Sequence, residues 1–211
     1  MTNKTLEFHF DFGSPTTYLA FTQLPGIAAD CGAELVWRPM LLGGVFKATG
    51  NASPVTVPAK GRWMFIDMAR WAKRYGVALV HNPHFPINTL TLMRCATGLL
   101  MVRTADFMPF CETVFKAIWV QQKNLGDASV LAATLEHNRR ARDTHEDLVA
   151  RTALHMHRSG RWVWRGLGVR APLVEVPTGP SIAHDRPLAP AQTATTRWVV
   201  VMPDLFSVRN T

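Results

Sequence analysis

The chain has 211 residues, 47% of them apolar, and a formal net charge of +8 at pH 7. Its length and apolar content suffice for the core of one large domain, or of a domain with an insertion. No apolar run approaches the roughly 18–20 residues that a membrane-spanning helix needs, so we expect no membrane partner. The positive charge comes without a nucleic-acid-binding motif, and an acidic small molecule suits it better than a nucleic acid.

The three cysteines exclude one kind of chemistry. Cys31, Cys95 and Cys111 are widely spaced, so the chain has no Cys-x-x-Cys redox centre, and the set is typical of a reducing compartment. Cys31 and Cys95 lie in apolar helical patterns, which predicts that both are buried. The chain opens with polar residues rather than a signal peptide, so we expect a cytoplasmic protein. The histidines form no convincing ligand set, and we expect no metal.

The first elements predict a strand followed by a helix. Leu6, Phe8 and Phe10 alternate with polar residues, which is typical of a strand. Ser14 is a good helix N-cap, and Pro15 suits the first helical position. Apolar residues then recur at helical spacing, at Tyr18, Phe21, Leu24, Ala28 and Cys31.

A second strand is predicted at residues 34–38 and ends at Pro39, so the first forty residues form a β-α-β unit of an α/β fold. Ser14 lies at the junction between the first strand and the helix. There its hydroxyl and the free N–H groups of the helix could hold an anion such as a thiolate. The alternative is that Ser14 only caps the helix.

Residues 11–20, Asp-Phe-Gly-Ser-Pro-Thr-Thr-Tyr-Leu-Ala, resemble the N-terminal signature of the 2-hydroxychromene-2-carboxylate isomerases and kappa-class glutathione transferases. This family is a branch of the thioredoxin superfamily. In it, the serine lies beside the sulfur of bound glutathione, where redox relatives carry the first cysteine of their active site. The resemblance therefore implies a thioredoxin-like fold, glutathione as cofactor and Ser14 as the catalytic residue.

The middle of the chain is predicted to be mainly helical, which implies a large inserted helical domain. A Gly-rich loop is expected at residues 41–54, and helices are expected at 58–75, 89–102 and 106–122, with a further helix from Ala128. Three segments within this block resemble family sequence in family order: LLGGVFKATGN, SPVTVPAK and NPHFPINTL.

The resemblance assigns roles to five residues of this block. Asn51 and Lys60 match family positions that bind glutathione, while Lys47, Phe85 and Asn88 are assigned to the aromatic substrate. An amide suits a peptide ligand, and an ammonium suits its carboxylate. The alternatives are a turn residue at Asn51, a surface lysine at Lys60 and a core anchor at Phe85.

After Arg151 the C-terminal third departs from the family pattern. From there on the chain has eight arginines, no lysine and one phenylalanine, whereas the preceding residues hold all six lysines. One explanation is an insertion. Ala171, before a cis-proline turn, and Asp185 would then match glutathione-binding positions of the family. The other is a tail out of frame with its ancestral coding sequence.

The predicted organisation has four parts. Residues 1–40 form the β-α-β unit, residues 41–142 the helical insertion, and residues 143–190 an atypical second half of the thioredoxin-like fold. Residues 191–211 form a tail, for which disorder is one expectation.

The resemblance implies a glutathione-dependent isomerase that interconverts 2-hydroxychromene-2-carboxylate and trans-o-hydroxybenzylidenepyruvate, a step in bacterial naphthalene breakdown. The substrate would be a small aromatic carboxylate, and the assembly a homodimer. Two alternatives stay open. One is a kappa-type transferase acting on other electrophiles. The other is a binding-only or defective relative whose aberrant C-terminus does not complete the site.

Overall fold

The computed structural model describes residues 4–135 in full, together with the backbone of four short strands later in the chain. In chain order the elements are β1 (Lys4–Phe10), α1 (Pro15–Asp30), β2 (Ala33–Pro39), α2 (Leu42–Thr49), a 3-10 helix (Pro54–Thr56), α3 (Pro58–Tyr75), α4 (Leu90–Val102), α5 (Thr104–Trp119), α6 (Ala128–Leu135), β3 (Ala153–Met156), β4 (Trp162–Arg165), β5 (Arg197–Val201) and β6 (Val208–Asn210).

Four of the described strands form one sheet in the order β2-β1-β5-β6, and β3 and β4 form an antiparallel pair. β1 runs parallel to both β2 and β5, and β6 is antiparallel to β5. The parallel pairing of β1 with β2 through helix α1 confirms the predicted β-α-β unit and the α/β class. The carboxyl end of β1, at the middle of this sheet, leads directly into the turn that carries Ser14.

A partly buried ion pair joins the polar faces of β1 and β2. Glu7 is 4% exposed, and its Oε1 accepts hydrogen bonds from Nε and Nη2 of Arg38 at 3.3 and 2.8 Å. His9 Nε2 lies 3.7 Å from the other carboxylate oxygen of Glu7. Because an unpaired buried carboxylate would be costly, this pairing favours the observed register of the two strands.

The predicted helices of the middle block are present. Helix α3 has the expected bounds and ends at Gly76, whose φ of +65° suits a residue without a Cβ. Helices α4 and α5 begin one and two residues from their expected starts, at Leu90 and Thr104. None of the helices in the described residues has the length and apolar character that a bilayer crossing requires.

The expected loop at residues 41–54 was wrong over much of its length, because helix α2 occupies Leu42–Thr49. Two adjacent glycines in its first turn disfavour a helix by local propensity. The start of the helix is instead fixed from a distance, since the Leu42 N–H donates to the Asp11 carboxylate at 2.7 Å. Its end is fixed by Gly50, which adopts a left-handed conformation with a φ of +67°. The tertiary contact thus outweighs the propensity.

An aromatic cluster forms the centre of the core and joins the first strand to helix α5. Phe8, Phe10 and Phe12 are fully buried. The ring of Phe115 lies 4.8 Å from that of Phe12 and 4.8 Å from that of Phe21 on helix α1, between centroids. These rings bury large apolar areas and favour tilted contacts of this kind. The helical insertion therefore packs directly against the residues that precede the Ser14 turn.

The cysteines differ from the prediction at one position. Cys95 is buried as expected, and so is Cys111. Burial raises the pKa of the Cys95 thiol to about 12 and the pKa of the Cys111 thiol well above its usual range. Cys31 is exposed, contrary to expectation, because it lies just beyond the last residue of α1 and past the buried face that ends at Ala28.

This difference predicts selective labelling of the thiols. Only Cys31 should react rapidly with iodoacetamide in the native protein, since the other two thiols are buried and their thiolate forms are disfavoured. Peptide mass spectrometry would identify the modified residue. The Cys31→Ser variant is the control and should show no rapid labelling until denaturant is added. Rapid native labelling of Cys95 or Cys111 would contradict the packing of helices α4 and α5.

Candidate active site at the start of helix α1

Ser14 is the N-cap of helix α1, as predicted, and its hydroxyl has two close partners. Ser14 Oγ accepts the Thr17 N–H at 3.2 Å and lies 2.9 Å from Thr16 Oγ1. The residue is 6% exposed. Its own N–H donates to the Asp11 carbonyl at 3.2 Å, which closes the turn between β1 and α1. The hydroxyl is therefore held in one place by the local backbone.

The helix start leaves donors for an anion near this hydroxyl. Pro15 has no N–H, and within residues 4–135 the Thr16 N–H makes no hydrogen bond. An unbonded N–H at a helix N-terminus carries part of the positive end of the helix dipole. A Ser14 hydroxyl beside this N–H can stabilise a negative charge such as a thiolate, and the chain needs no base of its own for that.

The Asp11 carboxylate holds three segments around the Ser14 turn. Its Oδ1 accepts the Gly13 N–H at 2.9 Å and the Thr89 hydroxyl at 2.7 Å, and its Oδ2 accepts the Leu42 N–H at 2.7 Å. Three donors and no acceptor around the two oxygens indicate an ionised carboxylate. The turn, the start of α2 and the start of α4 are thereby fixed relative to one another.

Gly13 leaves little room for a side chain beside these hydrogen bonds. A Cβ at this position would lie 3.2 Å from Thr89 Cγ2 and 3.4 Å from Asp11 Oδ1. A side chain here would have to displace the Thr89 methyl group by a few tenths of an ångström, while its contact with the carboxylate oxygen would be an ordinary one. The glycine before Ser14 thus permits the hydrogen bonds that position the turn.

Two opposing effects act on the pKa of Asp11. Burial of the carboxyl raises its pKa above 3.8, while hydrogen bonds from Thr89, Gly13 and Leu42 lower it, and burial is the larger effect. Within residues 4–135 no cationic side chain forms an ion pair with this carboxylate. From the sequence, Asp11 was named as the first residue of the motif at residues 11–20. A polar residue directly after a buried strand end was the signal that it had another role.

The loop before helix α4 is anchored by a buried amide. Asn82 is fully buried, and its Nδ2 donates to the carbonyls of Ile118 and Lys123 at 2.9 and 3.0 Å, while its Oδ1 accepts the His84 N–H at 2.9 Å. Sequence reasoning missed this residue as well. Its position within an Asn-Pro turn concealed a long-range structural role.

Phe85 in this loop packs against the core while remaining partly exposed. Its ring centroid lies 5.8 Å from that of Trp119 and 6.0 Å from that of Phe65. Trp119 in turn donates its Nε1–H to the Phe12 carbonyl at 2.9 Å, two residues before Ser14. Phe85 is therefore a packing residue connected to the Ser14 turn. A contact of its exposed part with substrate stays a prediction.

The other predicted ligand residues lie at exposed positions of the helical block. Lys47 is in the last turn of α2, Asn51 follows that helix, Lys60 is in the first turn of α3, and Asn88 precedes α4. The Asn51 side chain accepts the Ala52 N–H at 2.8 Å, and that of Asn88 accepts the Leu90 N–H at 3.1 Å. No hydrogen bond in the described part of the chain joins these four residues to Ser14.

Two further predicted residues, Ala171 and Asp185, lie outside the described residues. Their assignment to glutathione therefore stays a prediction. Within the part of the chain that the structure describes, no group of three or more His, Cys, Asp or Glu side chains is placed to hold a metal ion.

The chain matches the family of DSBA-like thioredoxin domains over residues 5–153, and it belongs to that family. The thioredoxin-like fold is thereby confirmed. The match ends close to Arg151, where the sequence departs from the family pattern.

The relatives carry the predicted resemblance. A 2-hydroxychromene-2-carboxylate isomerase of Sphingobium xenophagum is 38% identical over 84 residues, 39% of this chain and 43% of that protein. Glutathione S-transferase kappa 1 of Caenorhabditis elegans is 33% identical over 81 residues, 38% of this chain and 36% of that protein. A solved structure of 2-hydroxychromene-2-carboxylate isomerase is similar with a TM-score of 0.55 and 29% identity, covering 69% of this chain and 71% of that one. The chain spans about half the length of the curated isomerases that it matches.

Replacing Asp11 should destabilise the fold and not only the site. Asp11→Asn replaces one acceptor oxygen by an NH₂ group, which cannot accept a backbone N–H. We therefore expect the free energy of unfolding to fall by about 2–3 kcal/mol. Chemical denaturation measures this change. Asp30→Asn, at the exposed end of helix α1, is the control and should change stability by less than about 0.5 kcal/mol.

A comparison of the wild type with Asp11→Asn also tests the raised pKa of Asp11. A pKa above 3.8 in the folded state means that the folded protein binds this proton more tightly than the unfolded chain does. The stability of the wild type relative to Asp11→Asn should therefore rise as the pH falls through the folded pKa toward 3.8. A relative stability that falls with acid would mean that the three hydrogen bonds outweigh burial.

Proposed function

We propose that this protein is an enzyme, a glutathione-dependent isomerase that interconverts 2-hydroxychromene-2-carboxylate and trans-o-hydroxybenzylidenepyruvate. The single observation that carries the proposal is the Ser14 hydroxyl, held at the positive end of helix α1 beside a Thr16 N–H that has no hydrogen-bond partner within residues 4–135. Relatives named as this isomerase supply the reaction. The proposal also agrees with the positive net charge of the chain, since the proposed substrate is a carboxylate.

The donors around Ser14 fit a thiolate. A hydroxyl and a backbone N–H offer two hydrogen bonds to one anion, and hydrogen bonding to the charged form lowers the pKa of a thiol. When bound, glutathione would supply the nucleophilic sulfur. In this proposal Ser14 stabilises and orients that sulfur and does not itself attack the substrate.

The remaining assigned residues would bind the two ligands. Lys60 and Asn51 would hold the peptide part of glutathione through its carboxylate and amide groups. Both side chains are exposed and therefore accessible to a ligand. The exposed part of Phe85 would contact the aromatic ring. Lys47 would pair with the substrate carboxylate, and Asn88 would donate a hydrogen bond from its amide. Ala171 and Asp185 would add contacts to glutathione.

Two other functions are favoured by particular observations. Relatives named glutathione S-transferase kappa 1 favour a transferase acting on other electrophiles. The end of the family match at residue 153 favours a relative that binds ligand without turnover. A homodimer, a cytoplasmic location and a role in naphthalene breakdown belong to the isomerase proposal and are predictions.

The Ser14→Ala variant tests the central role. Loss of one charge-assisted hydrogen bond, worth about 2 kcal/mol, should lower glutathione-dependent turnover of trans-o-hydroxybenzylidenepyruvate about 30-fold. The decay of substrate absorbance measures the rate with and without glutathione. Ser129→Ala, on the exposed start of helix α6, is the matched control and should keep wild-type turnover. Unchanged turnover in Ser14→Ala would remove Ser14 from the mechanism.

Two further measurements separate the alternatives. Faster reaction with a chlorodinitrobenzene-type electrophile than with the chromene would favour the transferase. Mass action requires a ligand at one hundred times its dissociation constant to stabilise the fold by about 2.7 kcal/mol. Glutathione stabilisation without turnover of either compound would favour the binding-only relative, and the absence of both would exclude a working glutathione site.

A further inference from the structure

The Ser14 hydroxyl has one proton and two lone pairs, and its contacts nearly use them up. One lone pair accepts the Thr17 N–H at 3.2 Å. The Thr16 hydroxyl, at 2.9 Å, either accepts a hydrogen bond from the Ser14 hydroxyl or donates one to its second lone pair, because either oxygen can be the donor. The direction of this one hydrogen bond therefore decides whether the Ser14 O–H points to Thr16 or is available to a ligand.

The two directions have opposite consequences for a bound anion. If Ser14 donates to Thr16, no Ser14 proton remains for a thiolate. If Thr16 donates to Ser14, both lone pairs of Ser14 Oγ are occupied and its proton has to point elsewhere. A thiolate beside Ser14 selects the second direction, and the resulting chain of hydroxyls strengthens the outer hydrogen bond by polarisation.

Thr16 is free to act in this way. Its side chain is half-buried in the first turn of α1, and among the described residues Ser14 Oγ is the hydrogen-bond partner of its hydroxyl. The Thr17 hydroxyl offers a contrast, since it is buried and makes no hydrogen bond within the described part of the chain. The hydroxyl that contacts Ser14 is thus that of Thr16, and it has no other hydrogen-bond partner among the described residues.

We infer that Thr16 is a positioning residue that donates its hydroxyl proton to Ser14 Oγ and so turns the Ser14 proton toward the sulfur of bound glutathione. This inference rests on the proposed function, because it presupposes a thiolate at Ser14. No covalent step is involved. The role of Thr16 is to fix the direction of one hydrogen bond.

The test is the thiol pKa of protein-bound glutathione, followed by the ultraviolet absorbance of the thiolate as a function of pH. Thr16→Val keeps the branched shape and removes the hydroxyl, so it should raise this pKa by roughly 0.3–0.5 units, because the Ser14 hydrogen bond to the sulfur remains and only its orientation and polarisation by Thr16 are lost. Thr16→Ser should restore a value close to that of the wild type. Thr22→Val is the matched control, because the Thr22 hydroxyl lies on the same helix and donates to the Leu19 carbonyl, and it should leave the pKa unchanged.

A double-mutant cycle tests the path through Ser14. In a Ser14→Ala background, Thr16→Val should cause little further change in the thiol pKa, since the hydroxyl that Thr16 positions is already absent. Full additivity of the two changes would overturn the inference. Thr16→Ala provides a second hydroxyl-free variant should Thr16→Val not fold, which circular dichroism would reveal.

The outcomes distinguish this inference from the proposed function. If wild-type protein does not lower the thiol pKa of glutathione, the proposed function fails and the inference fails with it. If the wild type lowers the pKa and Thr16→Val lowers it equally, only the role of Thr16 is wrong. A raised pKa in Thr16→Val with recovery in Thr16→Ser supports both.

Discussion

The buried carboxylate of Asp11 is the contact on which the geometry around Ser14 depends. It accepts hydrogen bonds from the turn before helix α1, from the first residue of α2 and from the residue that precedes α4. Burying a carboxylate is costly, and here three donors rather than a cation offset part of the cost. One side chain thereby joins the β-α-β unit to the helical insertion. Gly13 allows the three donors to approach, since a Cβ there would meet both Thr89 and the carboxylate.

What the candidate site can bind depends on the hydrogen-bonding groups at the Ser14 turn that have no partner among the described residues. The turn consumes the Ser14 N–H and one lone pair of its hydroxyl, while the Thr16 N–H keeps no partner in the described residues. The aromatic core also fixes this turn, because the Trp119 indole N–H donates a hydrogen bond to the Phe12 carbonyl. A rigid hydroxyl beside an N–H without a partner in the described part of the chain is preorganised for an anion and needs little rearrangement on binding. The buried negative charge of Asp11 works against a nearby thiolate, so the donors at Ser14 have to offset it.

The sequence predicted those parts of the fold that local patterns encode. Alternation and capping predicted β1 and helix α1, and apolar periodicity with Gly76 predicted α3. Helix α2 could not be predicted, because its first N–H bonds to Asp11 across 31 positions. The Thr89 contact with the same carboxylate spans 78 positions. The prediction for Cys31 was also wrong. The helical spacing of apolar residues continues to Cys31, whereas the buried face of helix α1 ends at Ala28. Of the site, Ser14 was predictable from its cap and motif. The contacts of Asp11 and Thr16 were not, because they depend on which atoms meet in three dimensions.

The most direct test of this account is a crystal structure of the protein with glutathione bound. We expect the glutathione sulfur to lie within hydrogen-bond distance of Ser14 Oγ and to face the first turn of helix α1, with Asp11 still hydrogen-bonded to Gly13 and Leu42. A sulfur bound away from Ser14, or glutathione held only by the exposed lysines of the helical block, would contradict it.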